Sequence, residues 1–570
     1  MRAGDQARIP GGQTELTNER GASGSARKPR AAGPSAQFVC SLCVIALIVL
    51  TAATFSNALL NGFVSFDDWF LVQESERIRS LSWENIKRIF IYQTNDTWLP
   101  LRELTYALDY HLWGLNPFGY HLTNVVFHVG SVVLVFFLAL WVVRRPVVAF
   151  FAAAVFAVHP VQAESVTWVS GRRDVQYGFF YLLGLLAFVH HEGREGWRRW
   201  MLYALSLVFL LSSLLSKPSA MTFPAVLFLI ALVFERGRQA PLGRLLACLP
   251  HAILTAGLVA VHVVVANRAG VVKGQALDAS LANVPFILAK YLRLVFFPVN
   301  LSTPHGDLGL TWSRDGLLIG GLFLVVVGVA GVLWWSVRRR DVALFGLGWF
   351  FVSLLPVLNL VPLSALVAER YLYLPLIGLC VVGAESVGGL RRRKLAVACG
   401  VAIVAMLALL THERNLVWRN GRTFWRDGVS KWPDIPITRV GLASEYVDAG
   451  RYELAWKEYM TVALAWGRAA STDPEHLDLV KAGLEQIYEH VARRRAARGD
   501  AEGALRVYET VVRIMPERVE PRLRLAEAYE RRGMLAEARQ QLLAAKRLAP
   551  ARSEIVERLD RLEKKLGPKE

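Results

Sequence analysis

The chain has 570 residues, of which 54% are hydrophobic, a mean hydropathy of +0.34 and a formal net charge of +18. Apolar runs of about 20 residues, long enough to cross a bilayer as helices, exclude an ordinary soluble protein. Much of the excess of Lys and Arg lies in short clusters between those runs, which argues against a nucleic-acid partner.

In chain order, residues 1–37 are rich in Gly, Ser, Ala and Arg without periodicity and read as a disordered cytoplasmic tail. The run 38–60 is too long for a typical signal-peptide core, so it is expected to remain as an anchor with Arg27, Lys28 and Arg30 on its cytoplasmic side. Just beyond it, within Phe63-Val64-Ser65-Phe66-Asp67-Asp68-Trp69, two carboxylates stand side by side at a membrane surface. Either they cap the helix that begins the next loop, or they do chemistry.

Further apolar runs follow at 125–143, from 147, and at 175–189, 200–215, 221–234, 245–266, 317–337, 342–360, 371–387 and 395–410. Residues 38–411 are therefore expected to form a polytopic helical domain of about 11 spans. Placing the basic clusters at Arg144-Arg145, Arg194 to Arg199, Arg236 and Arg238, Arg338 to Arg340 and Arg391 to Lys394 inside puts the N-terminus in the cytoplasm and the C-terminus outside. Segment 285–297 would break this alternation and is expected as a short re-entrant or surface helix. The run before His159 is too short to cross alone, so His159, Gln162 and Glu164 are expected to continue its helix at membrane depth. All five cysteines (Cys40, Cys43, Cys248, Cys380, Cys399) fall in or beside apolar runs and form no disulfide framework.

This topology gathers the unusual polar groups on the outer face: Asp67 and Asp68; His159 and Glu164; Arg172, Arg173 and Asp174; Lys217; and Glu369, Arg370 and Tyr371. Each has an ordinary reading. His159-Pro160 can be a core histidine at a helix stop, Arg172 to Asp174 an interfacial ion pair, Lys217 a snorkelling side chain, and Glu369-Arg370 a salt bridge between helices. Together they suit transfer from an anionic lipid. A carboxylate takes the proton of an attacking hydroxyl, with Asp67 and Asp68 as candidates, while His159, Arg172, Arg173, Lys217 and Arg370 hold the departing phosphate and Glu164, Asp174, Glu369 and Tyr371 support them. The planar fork of Arg matches phosphate oxygens. The sequence has no Gly-rich, Lys-containing nucleotide cradle, and a site outside the cytoplasm favours a lipid-phosphate donor.

The runs Trp98-Leu99-Pro100-Leu101-Arg102, Gly114 to Asn124 (GLNPFGYHLTN), Phe156 to Val166 (FAVHPVQAESV), Gly171-Arg172-Arg173-Asp174, Leu215-Ser216-Lys217-Pro218 and Ala368 to Pro375 (AERYLYLP) occur in one order across most of residues 55–440. This ordered set resembles the transmembrane and tetratricopeptide-repeat-containing O-mannosyltransferase family and its bacterial relatives. The resemblance implies a GT-C glycosyltransferase, a catalytic acid in the first outer loop at Asp67 or Asp68, and a polyprenyl-phosphate sugar, mannose by analogy, as donor. The acceptors implied are Ser and Thr hydroxyls of exported proteins, and the membrane is the bacterial inner membrane. Leu99 stands where the animal members are expected to carry Arg. No metal ligands are assigned, and a divalent metal is left open. The rival readings are a membrane-anchored repeat scaffold without enzymatic activity, and a GT-C enzyme acting on a glycan or lipid.

In residues 412–438, Trp418, Trp425 and Trp432 recur every seven residues, as a stripe on a linker helix lying in the bilayer interface or packed under the repeats. In residues 439–570 the pattern Gly499 to Ala504 recurs at Gly533 to Ala538, and Pro516 at Pro550, both 34 residues on, which is the tetratricopeptide period. Gly450 to Ala455 is an earlier copy at a 49-residue step. The expected fold is all-α, a membrane domain followed by a short solenoid that presents a protein or peptide acceptor.

Overall fold

The computed structural model describes residues 35–92, 97–234, 241–268, 277–303, 342–360, 365–466 and 474–566. The tail before residue 35, the expected span at 317–337 and the clusters at Arg236, Arg238 and Arg338 to Arg340 lie outside them. Among the described residues the chain is built from helices, with no strand.

Helix ends follow their local chemistry. In α1 (Ala36–Thr54) the Ser35 side chain accepts from the Phe38 N–H. After α2 (Trp83–Ile91) and α3 (Pro100–Trp113), α4 (Pro117–Val143) starts with Pro at its first position and Asn116 accepting from the Phe118 N–H at 3.2 Å, and stops where Arg144 turns left-handed at φ 56°. Next come α5 (Pro146–Val158), α6 (Gln162–Thr167), α7 (Arg172–His191), α8 (Gly196–Ser216), α9 (Phe223–Val233), α10 (Pro241–Arg268), α11 (Leu277–Phe296), α12 (Val342–Leu354), α13 (Pro375–Gly388) and α14 (Arg393–Asn415). Helix α7 packs along α8 and α4, and α5 lies against α1, α4 and α13. They share a core that includes Val132, Phe136, Phe156, Tyr181, Phe223, Trp349, Phe350 and Ile377. On α1 the side chains of Phe38, Leu42, Ile45 and Val49 are bare, as on a helix that faces lipid. Among the described residues five helices are long and apolar enough to cross a membrane: α1, α4, α8, most of α10, and α14 with its C-terminal turn.

Two expectations for the membrane domain are corrected. The helix before His159 does not run on through Glu164: α5 ends at Val158, His159 is extended (φ −70°, ψ 131°), and α6 starts afresh at Gln162. The cause is Pro160, whose ring drives the preceding residue out of the helical region. Segment 285–297 is not a separate short helix either; Pro285 lies inside the 20-residue α11.

The C-terminal part is a run of paired helices: α15 (Gly421–Lys431), α16 (Pro436–Asp448), α17 (Tyr452–Trp466), α18 (Pro474–Ala497), α19 (Ala501–Ile514), α20 (Val519–Arg531), α21 (Leu535–Leu548) and α22 (Ser553–Leu566), each packed on the next. Gly450, Gly499 and Gly533 all have positive φ (66°, 82° and 74°), ending a helix in the left-handed region where a Cβ is unfavourable. Residues 412–438 are not one helix. A 3₁₀ turn at Leu416–Arg419 follows α14, and Asn420 opens α15 through a reciprocal cap with Thr423. Trp418 and Trp425 are buried in a core with Val440, Tyr446, Trp456 and Tyr459, which leaves them no face for a bilayer. That core also contains Val64 and Trp168, so the repeats are fused to the loop that carries the paired carboxylates.

Candidate functional site

Asp67 and Asp68 are adjacent but differ in every physical respect. Asp68 is fully buried. Its Oδ2 accepts the Val64 N–H at 3.0 Å, and its Oδ1 accepts both the N–H (2.9 Å) and the hydroxyl (2.5 Å) of Ser170. Burial pushes the carboxyl up to about 7, opposed by these donors and reinforced slightly by Asp67. Asp68 therefore clamps the first loop onto the Val169–Gly171 turn. Asp67 is half-buried, and among the described residues no hydrogen bond reaches its side chain. It is the carboxylate with a lone pair to offer.

The cations divide in the same way. Arg172 is enclosed by scaffold: Asp109 at 2.6 Å, the Tyr120 carbonyl at 2.9 Å, Thr105 at 3.2 Å, Asn124, and the Tyr106 ring. His159 is also scaffold. Its Nε2 donates to the Val295 carbonyl at 2.9 Å, and its Nδ1 accepts from the Val161 N–H at 3.4 Å, which sets the neutral tautomer. Both were expected to hold the donor phosphate; here the bonds of both go to protein groups.

Arg173, Lys217 and Arg370 form one group. Lys217 bonds Asp174, and Arg173 Nε is 3.7 Å from the same carboxylate. The Trp168 ring carries Arg173 at 5.9 Å and Arg370 at 5.6 Å; the Tyr371 ring carries Lys217 at 5.2 Å and Arg370 at 5.1 Å. Arg370 bonds Glu164 through its guanidinium, and its backbone N–H reaches the other Glu164 oxygen at 2.8 Å. Three cations thus share two carboxylates, an excess of one positive charge. The Nε atoms of Arg173 and Arg370 have no hydrogen-bond partner among the described residues. Positive charge with unfilled donors is what a phosphate requires.

Glu369 faces Arg414 at 3.5 Å, and Arg414 bonds Asp427 at 2.9 Å on α15, so this acid ties α14 and α15 to the Glu369–Leu372 turn. Its carboxyl is raised by burial, against the pull of Arg414. No three His, Cys, Asp or Glu side chains gather as a metal site among the described residues.

Three contributors were missed in the sequence. Ser170 donates to the Asp68 carboxylate, the Trp168 ring is shared by two guanidiniums, and Arg102 is buried with no hydrogen bond to Nε or Nη2 among the described residues, its Nη2 lying 3.9 Å from Glu103. Arg102 lay inside a motif already singled out, and a charge at the third position of a helix opening Pro100-Leu101 was the available signal. For Ser170 and Trp168 there was none.

Residues 495–558 match the family model of the tetratricopeptide repeat. The chain is 26% identical over 440 residues to the protein O-mannosyl-transferase TMTC3 of Mus musculus, covering 67% of this chain and 46% of the mouse protein. To the Homo sapiens protein of the same name it is 27% identical over 436 residues, with 67% and 47% covered. It spans about half the length of these curated relatives. Among solved structures it is similar to the Archaeoglobus fulgidus oligosaccharyltransferase tethered with an acceptor peptide (TM-score 0.41, 12% identity, 74% of this chain and 59% of that one). It is also similar to ArnT from Cupriavidus metallidurans bound to undecaprenyl phosphate (TM-score 0.36, 16% identity, 80% and 81%).

Proposed function

We propose that the chain is a GT-C type glycosyltransferase that moves a hexose, mannose by analogy with its named relatives, from a polyprenyl phosphate to a Ser or Thr hydroxyl of an exported protein. The observation that carries this reading is a half-buried Asp67, its side chain without a hydrogen bond among the described residues, next to the Phe66 that lies against the Trp168 ring over which Arg173 and Arg370 sit. Asp67 takes the proton of the acceptor hydroxyl as its oxygen attacks the sugar C1. The C1–O bond to phosphate breaks, and the phosphate leaves with the electron pair, its charge met by the cations. A single displacement of this kind inverts the anomeric centre. Glu164, Asp174 and Tyr371 orient the cations, and Asp68 and Glu369 hold the loops.

The membrane domain comprises about eleven spans in a bacterial inner membrane, with the N-terminus in the cytoplasm and both site and repeats outside. The basic clusters support this orientation. Reconstituted protein supplied with polyprenyl-phosphate mannose and a Ser/Thr peptide should give a mannosylated peptide, lost in Asp67→Asn. Equal transfer by wild type and Asp67→Asn would remove Asp67 from the base position.

A further inference from the structure

The repeats do more at the site than lie beside it. The Ser65 hydroxyl, two residues before Asp67, donates to the Glu445 carboxylate on α16 and accepts from Trp425 Nε1 on α15 at 3.1 Å. The Gly62 N–H reaches the Arg419 carbonyl at 2.8 Å. The Phe66 ring is set among Trp168, Phe424 and Trp425 at 5.6, 5.8 and 5.6 Å. On the other side of Asp67, Asp68 is clamped to Ser170. Asp67 therefore sits on a short segment held at one end by the membrane domain and at the other by the first helices of the solenoid.

We infer that Glu445 is a positioning residue: through Ser65 it sets the place of Asp67, so the repeat domain is a structural part of the catalytic loop as well as a platform for an acceptor. The proposal rests on the assignment of Asp67 as base. Its physical content is that a carboxylate displaced by about 1 Å loses about 10²-fold in rate.

The site offers an unusually clean perturbation at Gly421. A Cβ there would lie 2.0 Å from Glu445 Oε1 and 2.5 Å from Ser65 Oγ, and φ is ordinary at this position. Gly421→Ala therefore displaces the carboxylate at the end of a flexible side chain without straining the backbone.

The test uses the full chain in lipid nanodiscs with polyprenyl-phosphate mannose and a short Ser/Thr peptide. Ser65→Ala, Glu445→Ala and Gly421→Ala should each lower kcat by about 10²-fold while donor affinity and the peptide KM stay at wild-type values. Glu445→Gln, which keeps an acceptor oxygen, should recover most of the rate. Glu458→Ala, which breaks an ion pair with Arg439 elsewhere in the same repeat, should leave kcat unchanged. Hydrogen exchange over residues 62–70 should quicken in the first three variants and not in Glu458→Ala. A rise in peptide KM with kcat preserved would reduce the repeats to acceptor recruitment and overturn the proposal. Unchanged exchange over 62–70 in Glu445→Ala and Ser65→Ala would overturn it as well. If even the wild type fails to transfer mannose, the exchange result alone decides the inference, and the failure falls on the proposed function.

Discussion

Arg370 is bonded to Glu164, 206 residues away in the chain, and not to the Glu369 beside it. Glu164 spends one oxygen on the guanidinium and the other on the Arg370 backbone N–H, which fixes the turn that presents the guanidinium between Trp168 and Tyr371. Glu369 looks the other way, to Arg414.

Removing Arg370 therefore has two consequences. Arg370→Ala strands a buried carboxylate and should cost about 3–5 kcal/mol of stability, together with donor affinity worth about 1.5–3 kcal/mol from the lost charge-assisted bond. Pairing it with Glu164→Gln should restore much of the stability and none of the affinity. Thermal unfolding and donor binding in detergent separate the two. Arg370→Ala with wild-type donor affinity would return this arginine to a purely structural role.

The two aspartates should respond oppositely. Asp67→Asn is expected to lose 10²–10⁴-fold in rate with its melting temperature retained, because an amide has no basic oxygen. Asp68→Asn turns an N–H toward a donor of Ser170 or Val64 and should lose about 1–3 kcal/mol of stability. Transfer assays and melting curves on both proteins check the division; the reverse pattern would exchange the assignments.

The pH profile follows from the raised Asp68 carboxyl. In the unfolded chain it titrates near 4; folded, it titrates near 7. Between those values the folded state binds more protons, so this group's contribution is full below about 4 and is lost as pH rises through about 7. Melting temperatures from pH 4 to 8 should show a shallower decline in Asp68→Asn than in wild type, and parallel curves would refute the shift.

Truncation separates the two ends of the solenoid. A cut after Trp432 removes Val440, Ala443 and Tyr446 from over Trp418, Phe424 and Trp425, exposing side chains worth about 1.5–3 kcal/mol each. It should abolish donor binding along with transfer. A cut after Pro516 keeps that core and removes α20 to α22 from over Leu505 and Val512 of α19. Donor binding should survive it, while modification of a protein acceptor weakens.

Orientation can be read by labelling. In a background without the five cysteines, one placed at the exposed Arg532 should react with an impermeant thiol reagent on intact spheroplasts, and one at the exposed Arg391 should react only after lysis. Labelling of Arg532→Cys only after lysis would put the repeats inside and remove the case for a lipid-linked donor.

What the chain declares about itself is local. Apolar runs mark the membrane helices because burying or solvating a backbone in lipid is settled within one segment. The 34-residue spacing marks the solenoid because each repeat needs the same left-handed glycine, at Gly499 and again at Gly533, to end its first helix. The stop at His159-Pro160 was equally local, and the expectation of a continuous helix overlooked the restriction that a proline places on its predecessor. What only tertiary structure decided is who pairs with whom. Nothing near Asp68 in sequence announces Ser170, nothing near Ser65 announces Glu445, and Arg370 has an acid beside it yet bonds another 206 residues distant. A carboxylate lowers its free energy by finding any donor that burial brings close, and sequence neighbours hold no privilege in that choice. Which aspartate stays unbonded therefore depends on partners drawn together by the packing of distant helices and turns.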